Sequence, residues 1–434
     1  MDDSFVNRAV KKAAAAYERY SDKKIREREA IIQAIRLALL GHTSEIAEMT
    51  FRETGMGVVA DKVDKLLLVI GQTPGTEDLV TEVKTTDDGM TLYELSPYGV
   101  VCAVHPCNNP EATLINTTIS CLAAGNAVIH CPHPRALETS KFVVDIINKA
   151  IVKACGIDGL VVLLEDASMA STQEMMAHPD VGCIVITGSD TAISHAMRAD
   201  KKVIGAGPAN PPVIVDESAD IVRAAEDIVA STTFDNNLLC VSEKAIVVVD
   251  GVADALISQM EHCGAVYIDD MDDIVKLTET IVDEDLKPKK VFNGRTAEEI
   301  MATAGIQTGG SARLVLVNCV PEHPFACNEM LMPVVPVIRV RDFDEAMKVA
   351  LEIEQGFHHT AVIHSQSIEH LNYAARTMQT SVFVKNGPAY AGIGYKNEGP
   401  CSFSIATRTG EGTVTARHFG RRRRCTLMSA FTIR

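Results

Sequence analysis

The 434-residue chain has no Cys-x-x-Cys pair among its twelve cysteines and only 5% aromatic residues. Nor does any stretch approach the ~18 consecutive apolar residues of a membrane span. The scattered thiols exclude a short disulfide framework and point to a reducing compartment, where most of them serve as small buried hydrophobes. The acidic start Met1-Asp2-Asp3-Ser4 lacks the basic character of a secretion signal, so a cytosolic protein is expected. A formal net charge of -16 disfavours attraction to polyphosphate, and the local run Arg421–Arg424 makes no basic groove. Neither nucleic acid nor a membrane is an expected partner. Internal repeats, low-complexity tracts and clear linkers are absent as well.

What is present is aliphatic: 47% hydrophobic residues can bury a large core, and the length suggests two or three domains. Residues 4–50 read as helices, the first capped by Ser4 or Asp3, with Val6, Val10, Ala13, Ala14 and Tyr17 at helical spacing. Another helix is expected over 59–72 and an exposed hairpin over 80–98, turning at Asp87-Asp88-Gly89. Short aliphatic runs at 99–104, 127–130, 160–164, 183–187 and 203–204 then alternate with helix-length segments, the pattern of parallel strands joined by crossover helices. A second such series begins near Pro212 and includes 245–249, 314–317, 334–340, 361–364 and 382–384. The expected fold is α/β, two doubly wound lobes with a cleft between them. The tail 412–434 is β-prone at Thr413, Val414, Thr415, Phe419, Phe431 and Ile433, and can pair with the hairpin near residue 90.

The most informative segment is Phe234-Asp235-Asn236-Asn237-Leu238-Leu239-Cys240-Val241-Ser242-Glu243-Lys244. Its polar turn delivers one thiol just ahead of the apolar strand 245–249, where substrate can approach and amide dipoles can lower the pKa enough to supply thiolate. Against this, eleven other cysteines offer no reason for this one to be special. Thr187-Gly188-Ser189 closes a strand and opens a helix over 190–199, so that free amides face a phosphate, or the glycine merely permits the turn. No full Gly-x-Gly-x-x-Gly fingerprint accompanies it. Gly205-Ala206-Gly207-Pro208-Ala209-Asn210-Pro211-Pro212 is a stiff loop whose backbone can approach a ligand, or an interdomain turn.

His105-Pro106-Cys107-Asn108-Asn109-Pro110 follows a strand, where α/β sheets bind ligands beyond their carboxyl ends. An asparagine amide there can stabilise an oxyanion or cap the next helix. In Gly356-Phe357-His358-His359-Thr360-Ala361, with His364 beyond, strand geometry argues against a metal site. His359 and His364 face opposite sides, and His358 and His364 lie roughly 20 Å apart at about 3.3 Å per residue. A single imidazole acting near Cys240 and a buried structural histidine both remain open. Glu329, just before an apolar strand, can accept from a ribose or cap an element.

Taken in this order, the segments resemble the aldehyde dehydrogenase superfamily, specifically its coenzyme-A-acylating branch, the propionaldehyde or acetaldehyde dehydrogenases of propanediol and ethanolamine breakdown. The resemblance covers nearly the whole chain. It is carried by Phe234-Asp235-Asn236-Asn237-x-x-Cys240 with Glu243-Lys244, by the Gly205 to Pro212 loop, by Gly356-x-x-His359-Thr360-Ala361, and by Thr409-Gly410-Glu411-Gly412 through Arg421–Arg424. It implies that Cys240 is the nucleophile, that His359 is the histidine important in acylating relatives, and that Asn108 forms the oxyanion site, where such relatives often carry Thr. It also implies NAD contacts at Pro106, Thr187, Gly188, Ser189, Gly205, Gly207 and Glu329, coenzyme A as co-substrate, and no metal.

Hydrolytic relatives carry a glutamate base where this chain has Gly205. Water attack on an acyl-enzyme should therefore be slow, leaving coenzyme A thiol to discharge it. The expected activity is reversible NAD-dependent oxidation of propanal or acetaldehyde to the acyl-coenzyme A. A hydrolytic aldehyde dehydrogenase and a non-catalytic NAD-binding assembly protein are the alternatives.

By the same resemblance, residues 1–79 and 99–211 form the dinucleotide-binding domain and 212–405 the catalytic cysteine domain. Residues 80–98 and 406–434 form an oligomerisation flap of a homodimer or homotetramer. Arg421–Arg424 lie on a solvated strand face or subunit contact, or bind a coenzyme A phosphate. Several members carry an extra N-terminal helix that directs them into a bacterial microcompartment. This chain begins almost directly at its first domain helix, so the cytoplasm or a microcompartment, with shell or cargo association, is the expected location.

Overall fold

Aliphatic runs too short for helices become strands buried on both faces, and these organise two compact units in the computed structural model, which describes residues 4–307 and 310–429. Unit 1 comprises Met1–Glu53, Lys65–Ala206 and Pro400–Arg434; unit 2 comprises Thr54–Asp64 and Gly207–Gly399. Among the described residues no helix is long and apolar enough to cross a membrane.

Unit 1 opens with the helix Phe5–Tyr20, capped by Ser4, whose side chain accepts from the Asn7 amide. The alternative cap, Asp3, lies outside the described residues. The buried stripe is Val6, Val10, Ala13, Ala16 and Tyr20, while Ala14 and Tyr17 are only half-buried. Helices Ile25–Leu40 and Thr43–Thr54 follow, and Val59–Gln72 is helical as expected.

The strands of unit 1 are β1 (Glu82–Thr86), β2 (Gly89–Pro97), β3 (Val100–Val104), β4 (Ala127–Cys131), β5 (Val161–Leu163), β6 (Val181–Thr187), β7 (Lys202–Ala206), β15 (Ile405–Ala406), β16 (Gly412–Thr413) and β17 (Gly420–Met428). Five of them make a parallel sheet in the order β5-β4-β3-β6-β7. The chain leaves β3 towards β4 on one side and returns to β6 on the other, so the carboxyl ends of β3 and β6 flank a topological switch point. β1 and β2 form the hairpin, and β17 pairs antiparallel with β2 from Gly420↔Pro97 to Met428↔Gly89. Phe431 and Ile433, expected in the same strand region, lie outside the described residues.

Unit 2 contains β8 (Pro212–Val215), β9 (Ala245–Val249), β10 (Ala265–Ile268), β11 (Leu314–Asn318), β12 (Val334–Val340), β13 (Thr360–His364) and β14 (Val382–Lys385), a parallel sheet in the order β10-β11-β12-β9-β8-β13-β14. Period-2 alternation sorts β9 between two cores. Ile246 and Val248 join Leu256, Ile257 and Met260 of the helix Asp250–His262. Ala245, Val247 and Val249 join Phe343, Ala346, Met347 and Ala350 of the helix Phe343–Glu354. Each such fully buried valine or isoleucine contributes about 1.5–3 kcal/mol.

Candidate functional site

The helix Ile221–Thr233 ends in a turn where Asp235, Asn236 and Asn237 take φ of 49°, 53° and 61°. Left-handed backbone costs a non-glycine residue about 1–2 kcal/mol, less for Asx residues. Three in succession persist only where the surroundings fix them. Asp235 supplies that fixation: its carboxylate accepts from the Val58 amide at 2.7 Å and from Lys62 Nζ at 3.1 Å. Its own amide donates to Asp61 at 2.8 Å. The Asn236 side-chain amide donates to the Gly294 carbonyl at 2.8 Å. Lys62 and Asp235 form an ion pair with side chains 1% and 0% exposed.

The turn ends in Cys240. From Phe234 to Val249 every residue is buried except Cys240, which is half-buried. Burial pushes its thiol up to about 12, reinforced by the Glu329 carboxylate, while Lys244 and the Cys240 and Val241 amides pull it down. The expectation that amide dipoles can lower the pKa enough to supply thiolate is thereby corrected: desolvation outweighs them, and the resting group is a thiol.

Around it, at the amino ends of β12, β9 and β13, the fold gathers Glu329, Lys244 and His359. Burial pushes Glu329 up to about 7, against Lys244 and a hydrogen bond from the Ala209 amide, and lowers Lys244 to about 8. Burial takes His359 down to about 3, with the Lys244 charge adding to it, so its imidazole is neutral. His359 Nδ1 lies 2.9 Å from Thr360 Oγ1, and its amide donates to Glu354 Oε1 at 3.0 Å. β13 begins only at Thr360, and His358 stands before it with φ of 55°. Cys240, His359 and Glu329, three of the residues singled out from sequence, thus belong to one cluster in unit 2. Gly207 opens the segment whose Asn210 amide donates to the Ala326 and Ile353 carbonyls at 2.7 and 2.9 Å.

The remaining residues singled out lie in unit 1. Pro106 and Asn108 are half-buried in the turn after β3. The N-cap position of the helix Pro110–Ala123 belongs to Asn109, whose side chain makes no cap but accepts from Lys65 Nζ at 2.6 Å. Thr187, Gly188 and Ser189 end β6 at the switch point. The helix after them is Asp190–Ala196, shorter than expected, and Ser189 caps it with its own hydroxyl. The Gly188 amide is not free, since it donates to the Ala206 carbonyl at 3.1 Å. Open space lies where a Gly188 Cβ would stand, and Ser189 is exposed. These residues fit a dinucleotide through hydroxyls and an open backbone rather than through a row of free amides. A Cβ on Gly205 would meet Ile193 Cγ2 at 3.0 Å, and the Gly205 amide donates to Thr409 Oγ1 at 3.0 Å.

Sequence reasoning quoted Asp235 and Lys244 only as members of the motif around Cys240 and passed over Lys62. The three consecutive Asx residues were a local signal for the left-handed turn. The pairing of Lys62 with Asp235 had none.

A parallel α/β unit that presents one half-buried thiol among a carboxyl, an ammonium and an imidazole defines a thiol-dependent enzyme. The chain belongs to the aldehyde dehydrogenase family, whose model matches residues 1–396. Within that family it falls in the coenzyme-A-acylating branch. A propanal dehydrogenase (CoA-propanoylating) of Citrobacter freundii is 45% identical to it over 99% of this chain and 93% of the relative. The crystal structure of Rhodopseudomonas palustris propionaldehyde dehydrogenase, with bound CoA and an acylated cysteine, matches with a TM-score of 0.97 at 39% identity, covering 99% of this chain and 98% of that one. A propionaldehyde dehydrogenase from the Clostridium phytofermentans fucose utilisation bacterial microcompartment matches with a TM-score of 0.97 at 38% identity, covering 100% and 99%.

Proposed function

We propose that this chain oxidises a short-chain aldehyde, propanal or acetaldehyde, with NAD and delivers the acyl group to coenzyme A, reversibly, through a thioester on Cys240. The observation that carries the reading is that Cys240 is the one half-buried residue of an otherwise buried segment, beside Glu329, Lys244 and His359. Cys240 gives up its proton as it adds to the carbonyl carbon, because it does not rest as thiolate. Glu329, whose affinity lies near neutrality, is matched to take that proton. His359 is neutral and serves as a hydrogen-bonding group, and Asn108 is assigned to the oxyanion.

Pro106, Thr187, Gly188, Ser189, Gly205, Gly207 and Glu329 would hold NAD, which when bound supplies the hydride acceptor. The side of Gly205 where a hydrolytic base would start is filled by Ile193, which favours a thiol over water as acyl acceptor. The likeness to an enzyme of a bacterial microcompartment supports a location inside such a compartment or in the surrounding cytoplasm.

Replacing Cys240 by Ala is expected to abolish both NADH formation from propanal and the acyl adduct on the Cys240 peptide. Wild-type turnover is expected to need coenzyme A. Full turnover by the variant, or free acid released at undiminished speed without coenzyme A, overturns the reading.

A further inference from the structure

The chemistry assigned to Cys240 leaves the buried cation beside it without a task. Lys244 Nζ donates to the Asn237 carbonyl at 2.8 Å, to Asn237 Oδ1 at 2.6 Å and to the Leu239 carbonyl at 3.0 Å. An ammonium has three hydrogens, and all three are spent on the last left-handed residue of the turn and on the residue before the thiol. The side chain is fully buried. A cation so placed costs several kcal/mol unless its surroundings compensate it. A surface lysine would hold none of these oxygens at so high a cost, so the arrangement calls for a function in which the charge itself matters.

We propose that Lys244 is a positioning residue: its ammonium pins residues 237–239 so that the half-buried Cys240 is held in place, and supplies the positive charge against which Cys240 ionises. The inference rests on Cys240 as nucleophile but not on the identity of aldehyde or acyl acceptor. The charged and titratable groups that face Lys244 are Cys240, Glu243, Glu329 and His359. Burial raises Glu243 and Glu329 to about 7, so above pH 8 both are already charged, and His359 is neutral throughout. Lys244 alone changes state there, losing its proton around pH 8. Below that pH the ammonium favours thiolate. Above it the thiolate loses its partner, and Cys240 reactivity climbs less steeply than the tenfold per pH unit of an isolated thiol.

The experiment is alkylation of the full-length protein by iodoacetamide between pH 7.5 and 10. Modification of the Cys240 peptide is followed by mass spectrometry, with the exposed Cys327 and Cys425 as internal controls. The wild-type plot of log rate against pH should break to a lower slope near pH 8. Lys244→Gln and Lys244→Met should give a straight line, displaced downwards at pH 7.5. For each unit of pKa increase the net loss is about threefold, since the thiolate fraction falls tenfold while intrinsic nucleophilicity rises about threefold. Cys327 and Cys425 should not change. Lys244→Arg, which retains the charge, should keep most of the rate at pH 7.5 and lose the break. A straight wild-type line, or a folded Gln or Met variant with unchanged rate and break, overturns the proposal. The wild-type profile decides the matter even where a variant fails to fold. Because no turnover is measured, this failure is distinct from failure of the acylating activity.

Discussion

At the scale of single residues, the chemistry turns on which groups hold protons near neutrality. Glu329 is raised from the ordinary carboxylate range to about 7 by burial, so it is protonated in acid and becomes a base only as pH rises through that value. Acyl-enzyme formation should therefore fall as pH drops below about 7. Glu329→Gln should remove that acidic limb and slow the step by about 10²–10⁴, the usual worth of a general base. Rapid-mixing measurement of the thioester from pH 5.5 to 8 checks both. If the variant raises the KM for NAD while the limb persists, Glu329 acts on the cofactor alone. The place of Cys240 at the amino end of β9 was legible from sequence because a polar Asx-rich turn runs directly into a β-branched run. Its protonation state was not, because that depends on Glu329 and Lys244, which sequence does not place in space. The same reasoning holds for Gly205, whose lack of a side chain is visible in the sequence while the approach of Ile193 to its Cα is not.

At the scale of elements, the turn that carries Cys240 is held by a clamp as much as by the strand that follows it. Gly57 has φ of 82°, and a Cβ there would stand 2.0 Å from Asp235 Oδ1 and 2.9 Å from Lys62 Nζ. The glycine thus lets the segment 54–64 close on the turn before Cys240. Asp235→Ala removes the carboxylate from a fully buried ammonium, a change that costs about 3–5 kcal/mol, and a clearly lower thermal midpoint is expected. Asp235→Asn keeps the acceptor for the Val58 amide and should lose less. Equal midpoints for wild type and Asp235→Ala would show that the ion pair contributes nothing to the turn. Most strands of the two parallel sheets were readable because strands buried on both faces appear as unbroken aliphatic runs; β10, at the sheet's edge with Val266 and Tyr267 only half-buried, was not among them. Helix ends were less so: periodicity alone extends the helix after Ser189 to residue 199, but it closes at Ala196, and the Arg198 and Ala199 amides turn back on the His195 and Ala196 carbonyls. The clamp was invisible for a different reason, since its partners are separated by 173 residues and carry no shared local pattern.

At the scale of the whole molecule, the three-stranded sheet β1-β2-β17 sets the remaining expectation. β1 is exposed along its length and β17 nearly so, with Val83, Leu427 and Met428 in the open. A sheet of this size is marginal in water without a hydrophobic face to bury, and its outer strands offer unpaired backbone. The arginines do not offset this by binding elsewhere. Arg422 stacks 3.8 Å from the Tyr93 centroid and pairs with Glu82 at 2.8 Å, Arg424 lies 5.6 Å from the same ring, and Arg421 lies over Tyr98. These contacts favour a structural role for the run Arg421–Arg424 over a phosphate site, and they keep β17 registered on β2. Covering such a sheet by another copy of the chain is the economical solution, so the protein should be a homodimer or homotetramer. Light scattering after size exclusion should give a multiple of 46.8 kDa for the full chain. A variant ending at residue 419 should give a single-chain mass, because β2 then loses its nine-residue partner and the sheet its outer edge. A full chain that elutes as a monomer at micromolar concentration removes the oligomerisation role from the flap. A shortened chain that assembles as before shows that the contact lies on another surface.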